Sequence, residues 1–238
     1  MESKQQSDDW ALHALEPWPP NDTEESILGT DLHQTTITNL RIGLNESARV
    51  GQDEDQPAPW HASSQMLLLG CRRPTGSYYR TYPDIYVYRK PFEPNRTART
   101  VESDGPPVLI IEVLSESTYE VDLDLTAGKP YSYALAGVME YVTISPTRQY
   151  VPEGIRAWRL VDGVYAPWEA DRGGHWLSEQ IPVAFALEGT WAGVYSSING
   201  QRMPREGQIM AELAQRDAEL VRRDAELARL RKLLEDRR

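Results

Sequence analysis

Cysteine is almost missing from this chain: Cys71 is the only one in 238 residues. A lone thiol excludes an internal disulfide framework and a cysteine zinc site, and it fits a reducing compartment, the cytoplasm. Long apolar runs are missing too. No stretch approaches a membrane span, and residues 1–20 are polar and acidic rather than signal-like. Nor is there a surplus of positive charge. The formal net charge is −11, which disfavours a nucleic-acid coat held by surface charge alone. It leaves room for a small basic or metal-screened cleft. No phosphate loop, no Gly-x-Gly-x-x-Gly and no Gly-x-Ser-x-Gly elbow occurs, so Ser115 and Ser117 carry little weight as nucleophiles.

What is present suffices for a sizeable core. Hydrophobic residues make up 40%, with 7 Trp and 12 Tyr. The pattern implies one large domain with an appendage: a loosely ordered segment over 1–22, a domain over 23–206 and a helix over 207–238. Asp31 is placed to cap a helix carrying Leu32, Ile37, Leu40 and Leu44. "SQMLLLGC", "PDIYVY", "PVLIIEVLS" and "MEYVTIS" read as strands, and residues 89–107 as a long loop. A helix of about three turns is expected from Leu125 or Thr126 to Ala136, with Pro130 in its first turn and Gly137 as its stop. "GIRAWRLVDGVYAPW" reads as a hairpin turning at Asp162-Gly163. The four tryptophans Trp158, Trp168, Trp176 and Trp191 lack an interleaved basic stripe, so they read as packing rather than as a base-stacking array.

The last 32 residues contain no proline, and Leu213, Leu220, Leu227 and Leu234 recur every seven positions. Their companions Asp217, Asp224 and Arg231 stand where a strong zipper places apolar residues. Residues 211–238 hold 8 basic and 7 acidic side chains, which leaves 17 basic and 29 acidic in the body. A near-neutral charged helix thus follows an acidic domain, and its leucine ladder implies a homodimer through residues 207–238.

One residue breaks the core pattern. Glu112 sits inside "VLIIEVLS", a strand that otherwise reads as buried on both faces. A buried carboxylate is costly unless it is paired, protonated or metal-bound. Three readings stay open: an ion-pair member, an exposed strand end, or a metal ligand. Asp84 opens a second apolar strand, and two strands that each bring a carboxylate to one point suit an oxygen-ligated divalent cation. Lys129 and Tyr133 lie four residues apart on one helix face. An ammonium there stabilises charge on a phosphate or orients a water, although a solvated first-turn lysine is the plainer reading. His33 and Gln34 either touch substrate or cap and pack their helix.

These residues carry a resemblance. "PDIYVY", "VLIIEVLSESTYE" and "DLTAGKPYSYALAGVMEYVTISP" resemble the Uma-two family of restriction-endonuclease-like proteins, with Lys129, Tyr133, Gly137, Val138, Glu140 and Tyr141 in matching order. "HQTTITNL" and "WRLVDGVY" resemble its amino-terminal helix and its later hairpin more weakly. The resemblance implies the PD-(D/E)XK nuclease fold: an α/β domain with a mixed central sheet flanked by helices, here followed by a coiled-coil-like carboxy-terminal helix. It implies a Mg²⁺-dependent endonuclease, with Mn²⁺ as an alternative ion, DNA as substrate and no membrane. Asp84 matches the motif's Asp and Glu112 its second acidic residue. The Val113 carbonyl would complete the metal shell. The motif's strand lysine is replaced by Leu114, and the resemblance assigns its task to Lys129. The family's Asp four residues before that lysine is also displaced, since position 125 is Leu and Asp124 lies one step away. Glu24 and Glu25 are candidates for an acidic residue ahead of His33. The absent strand lysine and the acidic body keep a second function in view: a non-catalytic interaction protein that keeps the scaffold and binds a partner through its tail.

Overall fold

The structure is a computed structural model, and it describes residues 30–235 except 54 and 74, with side chains as far as 232. The chain divides into two units, residues 1–203 and 204–238.

The first unit is built on a six-stranded mixed sheet. In spatial order its strands are β1 (His61–Ser64), β4 (Ile85–Tyr88), β6 (Leu109–Val113), β7 (Glu140–Ile144), β8 (Ile155–Val161) and β9 (Val164–Pro167). β6 and β7 run parallel and every other neighbouring pair is antiparallel. A parallel pair needs a long crossover, and here it carries α3 (Tyr119–Leu123) and α4 (Lys129–Ala136). One three-stranded sheet joins β2 (Leu67–Arg72) to β3 (Tyr78–Thr81) and β5 (Ala98–Thr100). Another joins β10 (Trp176–Leu177), β11 (Val183–Glu188) and β12 (Trp191–Ser196).

Side chains alternate along β6 and feed two cores. Leu109, Ile111 and Val113 join Ile37, Leu40 and Leu44 of α1 (Asp31–Ser47), together with Phe185 and Val194 of the third sheet. Ile110 faces the other way, among Tyr86, Tyr133, Tyr141 and Trp158. Each buried Leu, Ile or Val contributes on the order of 1.5–3 kcal/mol. β6 and β7 are buried at every position, which fixes the central strands and whatever their ends carry.

The Asp162-Gly163 turn joins β8 to β9 as expected, with φ 51° and 84° at its two residues, the left-handed pair that a two-residue hairpin requires. Three local expectations are corrected. The cap of α1 is Thr30, whose hydroxyl accepts the His33 N–H, rather than Asp31. Residues 89–107 are not all loop: they contain β5 and a short α2 (Val101–Asp104). Charge rather than apolar spacing holds that segment, since Asp104 accepts the Thr100 N–H and pairs with Arg96 and Arg99. The helix expected from Leu125 or Thr126 starts only at Lys129. The Asp124 carboxylate draws the Thr126 and Ala127 N–H groups into a turn, and a separate helix, α3, precedes it. Gly128 makes the turn possible, because a Cβ there would stand 2.2 Å from the Val121 carbonyl oxygen.

The second unit carries α5 (Glu206–Glu235). Glu212–Arg216 and Glu219–Arg223 pair along it at i,i+4, and Leu213, Leu220 and Leu227 are exposed. Among the described residues no helix is long and apolar enough to cross a membrane.

Candidate metal centre

The register of the sheet assembles the site. β4 and β6 pair with Ile85 opposite Ile111, so one further step sets Asp84 opposite Glu112, and directly opposed side chains share a face. The two residues are clasped to each other. The Asp84 N–H donates to Glu112 Oε2 at 3.1 Å, and the Val113 N–H donates to Asp84 Oδ2 at 2.7 Å.

Glu112 lies on the tyrosine-rich side of the sheet, beneath the crossover helices. Tyr133 donates to its Oε1 at 2.9 Å, and Lys129 Nζ stands 3.4 Å from the same oxygen. Both come from one face of α4, as their spacing implied. Lys129 is not solvated: it is 3% exposed and also lies 3.2 Å from Asp122 Oδ1.

Asp122 is the residue that sequence reasoning missed. It is 1% exposed, and Tyr141 pins its backbone by donating to the Asp122 carbonyl at 2.8 Å. A single continuous helix through residue 125 would place the acidic partner of Lys129 at residue 125 or 124. The break over residues 124–128 puts it on α3, seven residues upstream of the lysine. Asp124 is exposed and serves the turn. The signal available in the sequence is Gly-Lys-Pro, which favours a helix start at Lys129 over a continuous register through residue 125.

His33 reaches the same point from α1. Its Nε2 lies 2.8 Å from the Val113 carbonyl oxygen and 3.5 Å from Asp84 Oδ2. A carbonyl only accepts, so Nε2 carries a proton. Burial works to lower the His33 pKa, but the Asp84 carboxylate and the Val113 carbonyl outweigh it and the net shift is upward. Glu24 and Glu25 lie outside the described residues.

The charge balance is uneven. Glu112 and Asp122 share one ammonium, that of Lys129, and Asp84 lies beside Glu112 with His33 as its own partner. Burial raises Glu112 well above the usual carboxylate range, and Asp122 and Asp84 add to this against the opposing pull of Lys129. Burial also raises Asp122, again with Asp84 adding and Lys129 opposing. Among the described residues no three His, Cys, Asp or Glu side chains converge as a ready-made metal cage. The Asp84 and Glu112 carboxylates nevertheless offer oxygen donors with surplus negative charge, and the Val113 carbonyl keeps a second lone pair beside the one His33 takes. That donor chemistry fits Mg²⁺ or Mn²⁺.

No curated protein matches the chain in sequence. The profile of one family, Uma2, described as "Putative restriction endonuclease", matches residues 33–191, about two-thirds of the chain. The matched span runs from His33 through Asp84, Glu112, Asp122 and Lys129 to the last strand of the first unit. The chain belongs to the Uma2 restriction-endonuclease-like family.

Proposed function

We propose that this protein is a Mg²⁺-dependent endonuclease, with Mn²⁺ as an alternative ion, that hydrolyses DNA phosphodiester bonds at the Asp84–Glu112–Lys129 site. The observation that carries the reading is the surplus of carboxylate around Glu112: Glu112 and Asp122 share Lys129, and the Asp84 carboxylate acts on Glu112 as well. A purely structural pair has no use for that surplus.

Asp84, Glu112 and the Val113 carbonyl would hold the ion. When bound, it polarises a phosphoryl oxygen and makes water a stronger nucleophile at neutral pH. Tyr133 and Lys129 fix the Glu112 carboxylate from one side, and the Asp84 N–H fixes it from the other. Lys129 supplies the positive charge that the absent strand lysine would supply, from a helix rather than from β6. His33 holds the Val113 carbonyl and the Asp84 carboxylate toward one point. The test is cleavage of supercoiled, linear and single-stranded DNA with Mg²⁺ or Mn²⁺, comparing the wild type with Asp84→Asn and Glu112→Gln. Loss of cleavage in both variants is expected. Cleavage at the wild-type rate in either overturns the assignment.

The exposed leucines of α5 support a homodimer through residues 207–238. The same ladder is what a non-catalytic interaction protein would use, and the complete set of Asp84, Glu112 and Lys129 favours the enzyme. A single buried thiol at Cys71 supports residence in the cytoplasm.

A further inference from the structure

A cavity opens directly beside the candidate metal centre. Its volume is about 270 Å³, and it shares His33 and Val113 with that centre. Its other walls are the loop after β6, the loop after β7 and the first turn of α1. Tyr150 lines it, and Tyr119 backs Tyr150 in a stacked pair with ring centroids 4.6 Å apart and planes 19° from parallel.

The loop that presents Tyr150 is fixed by its own hydrogen bonds. The Tyr150 N–H donates to the Ser145 hydroxyl at 3.2 Å, and the Ser145 N–H donates to the Gly154 carbonyl at 2.7 Å. Arg148 takes a left-handed conformation at φ 60°, and its guanidinium donates to the Pro152 and Glu153 carbonyls. A ring held this way is preorganised, so little rotamer freedom is lost when something stacks on it. Two polar side chains in the same wall, Thr147 and Gln149, are exposed and make no hydrogen bond among the described residues.

We propose that this cavity takes one unstacked nucleobase of the DNA strand, next to the phosphate that is cut, with Tyr150 as its stacking platform. The volume lies just below the range of sites for drug-sized ligands, which suits one base rather than a base pair. Every base offers a π face, so stacking on an aromatic ring binds without regard to sequence. Thr147 and Gln149 meet the polar edge of the base. The amino terminus of α1 opens on the same cavity, a setting that favours the adjoining phosphate. A base inside a duplex cannot enter such a pocket without leaving its stack. The preferred substrate is therefore single-stranded or locally unpaired at the cleavage point. This inference rests on the nuclease reading for what the neighbouring site does, but its binding step is tested apart from cleavage.

The probe is a single-stranded oligonucleotide with one 2-aminopurine, mixed with the full chain in EDTA and read by quenching and by anisotropy. A duplex of the same sequence is the control. Expected are quenching by the wild type, at least about tenfold tighter binding of the single strand than of the duplex, and a loss of about tenfold or more in Tyr150→Ala, as stacked bases elsewhere show. Tyr150→Trp keeps both signals. Thr147→Ala/Gln149→Ala, which removes no internal hydrogen bond, keeps the fold and loses any preference among bases at the quenched position. Wild-type affinity and quenching in Tyr150→Ala overturn the pocket, as does binding of duplex and single strand alike. If the wild type cuts DNA and Tyr150→Ala cuts and binds equally, the nuclease reading stands and the pocket falls. If no DNA is cut but Tyr150-dependent quenching persists, the pocket stands and the nuclease reading falls.

Discussion

Glu112 and Glu140 are both buried glutamates on adjacent parallel strands, and burial raises the pKa of both. They stand at opposite ends of the β6–β7 ladder, Glu140 beside Leu109 and Glu112 beside Thr143. Their donors are alike in kind, and their charged neighbours differ. Glu140 accepts from the Ser178 hydroxyl at 2.5 Å and the Glu179 N–H at 2.7 Å, with Arg159 at 3.4 Å. Its charge is answered by neutral donors and a cation, and these ties fasten the segment before β11 to the central sheet. Glu112 has donors of the same kinds, the Tyr133 hydroxyl, the Asp84 N–H and Lys129 at 3.4 Å, but the Asp122 and Asp84 carboxylates act on it as well. Burial alone therefore does not mark a functional acid in this fold. The balance of charge around it does.

Cleavage is where the two should separate most. Glu112→Gln is expected to lower the rate by about a hundredfold or more, on the scale of losing one group that stabilises transition-state charge. Glu140→Gln should leave the rate per folded molecule within a factor of a few. Steady-state cleavage of plasmid, normalised to folded protein by circular dichroism, makes the comparison. Equal losses in the two variants would erase the distinction between a functional and a structural acid.

Stability should separate them in the opposite sense. Glu140→Gln weakens a satisfied charge-assisted network and is expected to cost about 1–3 kcal/mol in urea unfolding. Lys129→Ala should cost more, about 3–5 kcal/mol, because it leaves the buried Glu112 and Asp122 carboxylates without the cation they share. A loss below about 1 kcal/mol would mean that the Lys129 pairs are not formed in solution.

The pH dependence sharpens the same contrast by a smaller amount. Glu112 has a higher pKa folded than unfolded, so between those two values the folded state holds more protons. Stability from this group then falls as pH rises above the ordinary carboxylate value of about 4.5, and it levels off once pH exceeds the folded pKa. Glu140 contributes a slope of the same sign, so the informative quantity is the wild-type melting curve minus that of Glu112→Gln. In EDTA that difference should grow with pH, with the variant the more stable protein at neutral pH. Mg²⁺ should shrink it by favouring the ionised wild-type site. A difference that does not change with pH would contradict the raised Glu112 pKa.

Sequence alone carried the central sheet, the Asp84–Glu112 pairing and the shared face of Lys129 and Tyr133. Each depends on short-range periodicity or on one strand register. Asp122 was not legible because its place depends on a helix break, and the break is set by a contact between Gly128 and the Val121 carbonyl. The role of His33 is not legible for a similar reason, since it depends on how α1 lies across the end of β6, 80 residues away. The β5–α2 segment was hidden because arginine–carboxylate pairs hold it rather than apolar spacing. Local pattern gave the scaffold, whereas long-range packing completed the site.

The smallest effect belongs to the tail, where the contrast between answered and surplus charge returns at an exposed surface. Leu213, Leu220 and Leu227 form one edge of α5, while Met210, Asp217, Asp224 and Arg231 form the companion positions. In a dimer the two aspartates would sit at the seam, close to the situation of Glu112 and far from that of Glu140. Such positions weaken a coiled coil while restricting its register, so the dissociation constant should fall near the micromolar range, about −8 kcal/mol. Sedimentation at tens of micromolar should show a dimer for the full chain and a monomer for a truncation ending at Gly207. Cleavage by the truncation should change by no more than about twofold, because the site residues all lie in the first unit. Asp217→Leu/Asp224→Leu should tighten the dimer by about tenfold or more. If the truncation still dimerises, association belongs to the first unit. If the full chain with both leucines stays monomeric, the ladder does not pair.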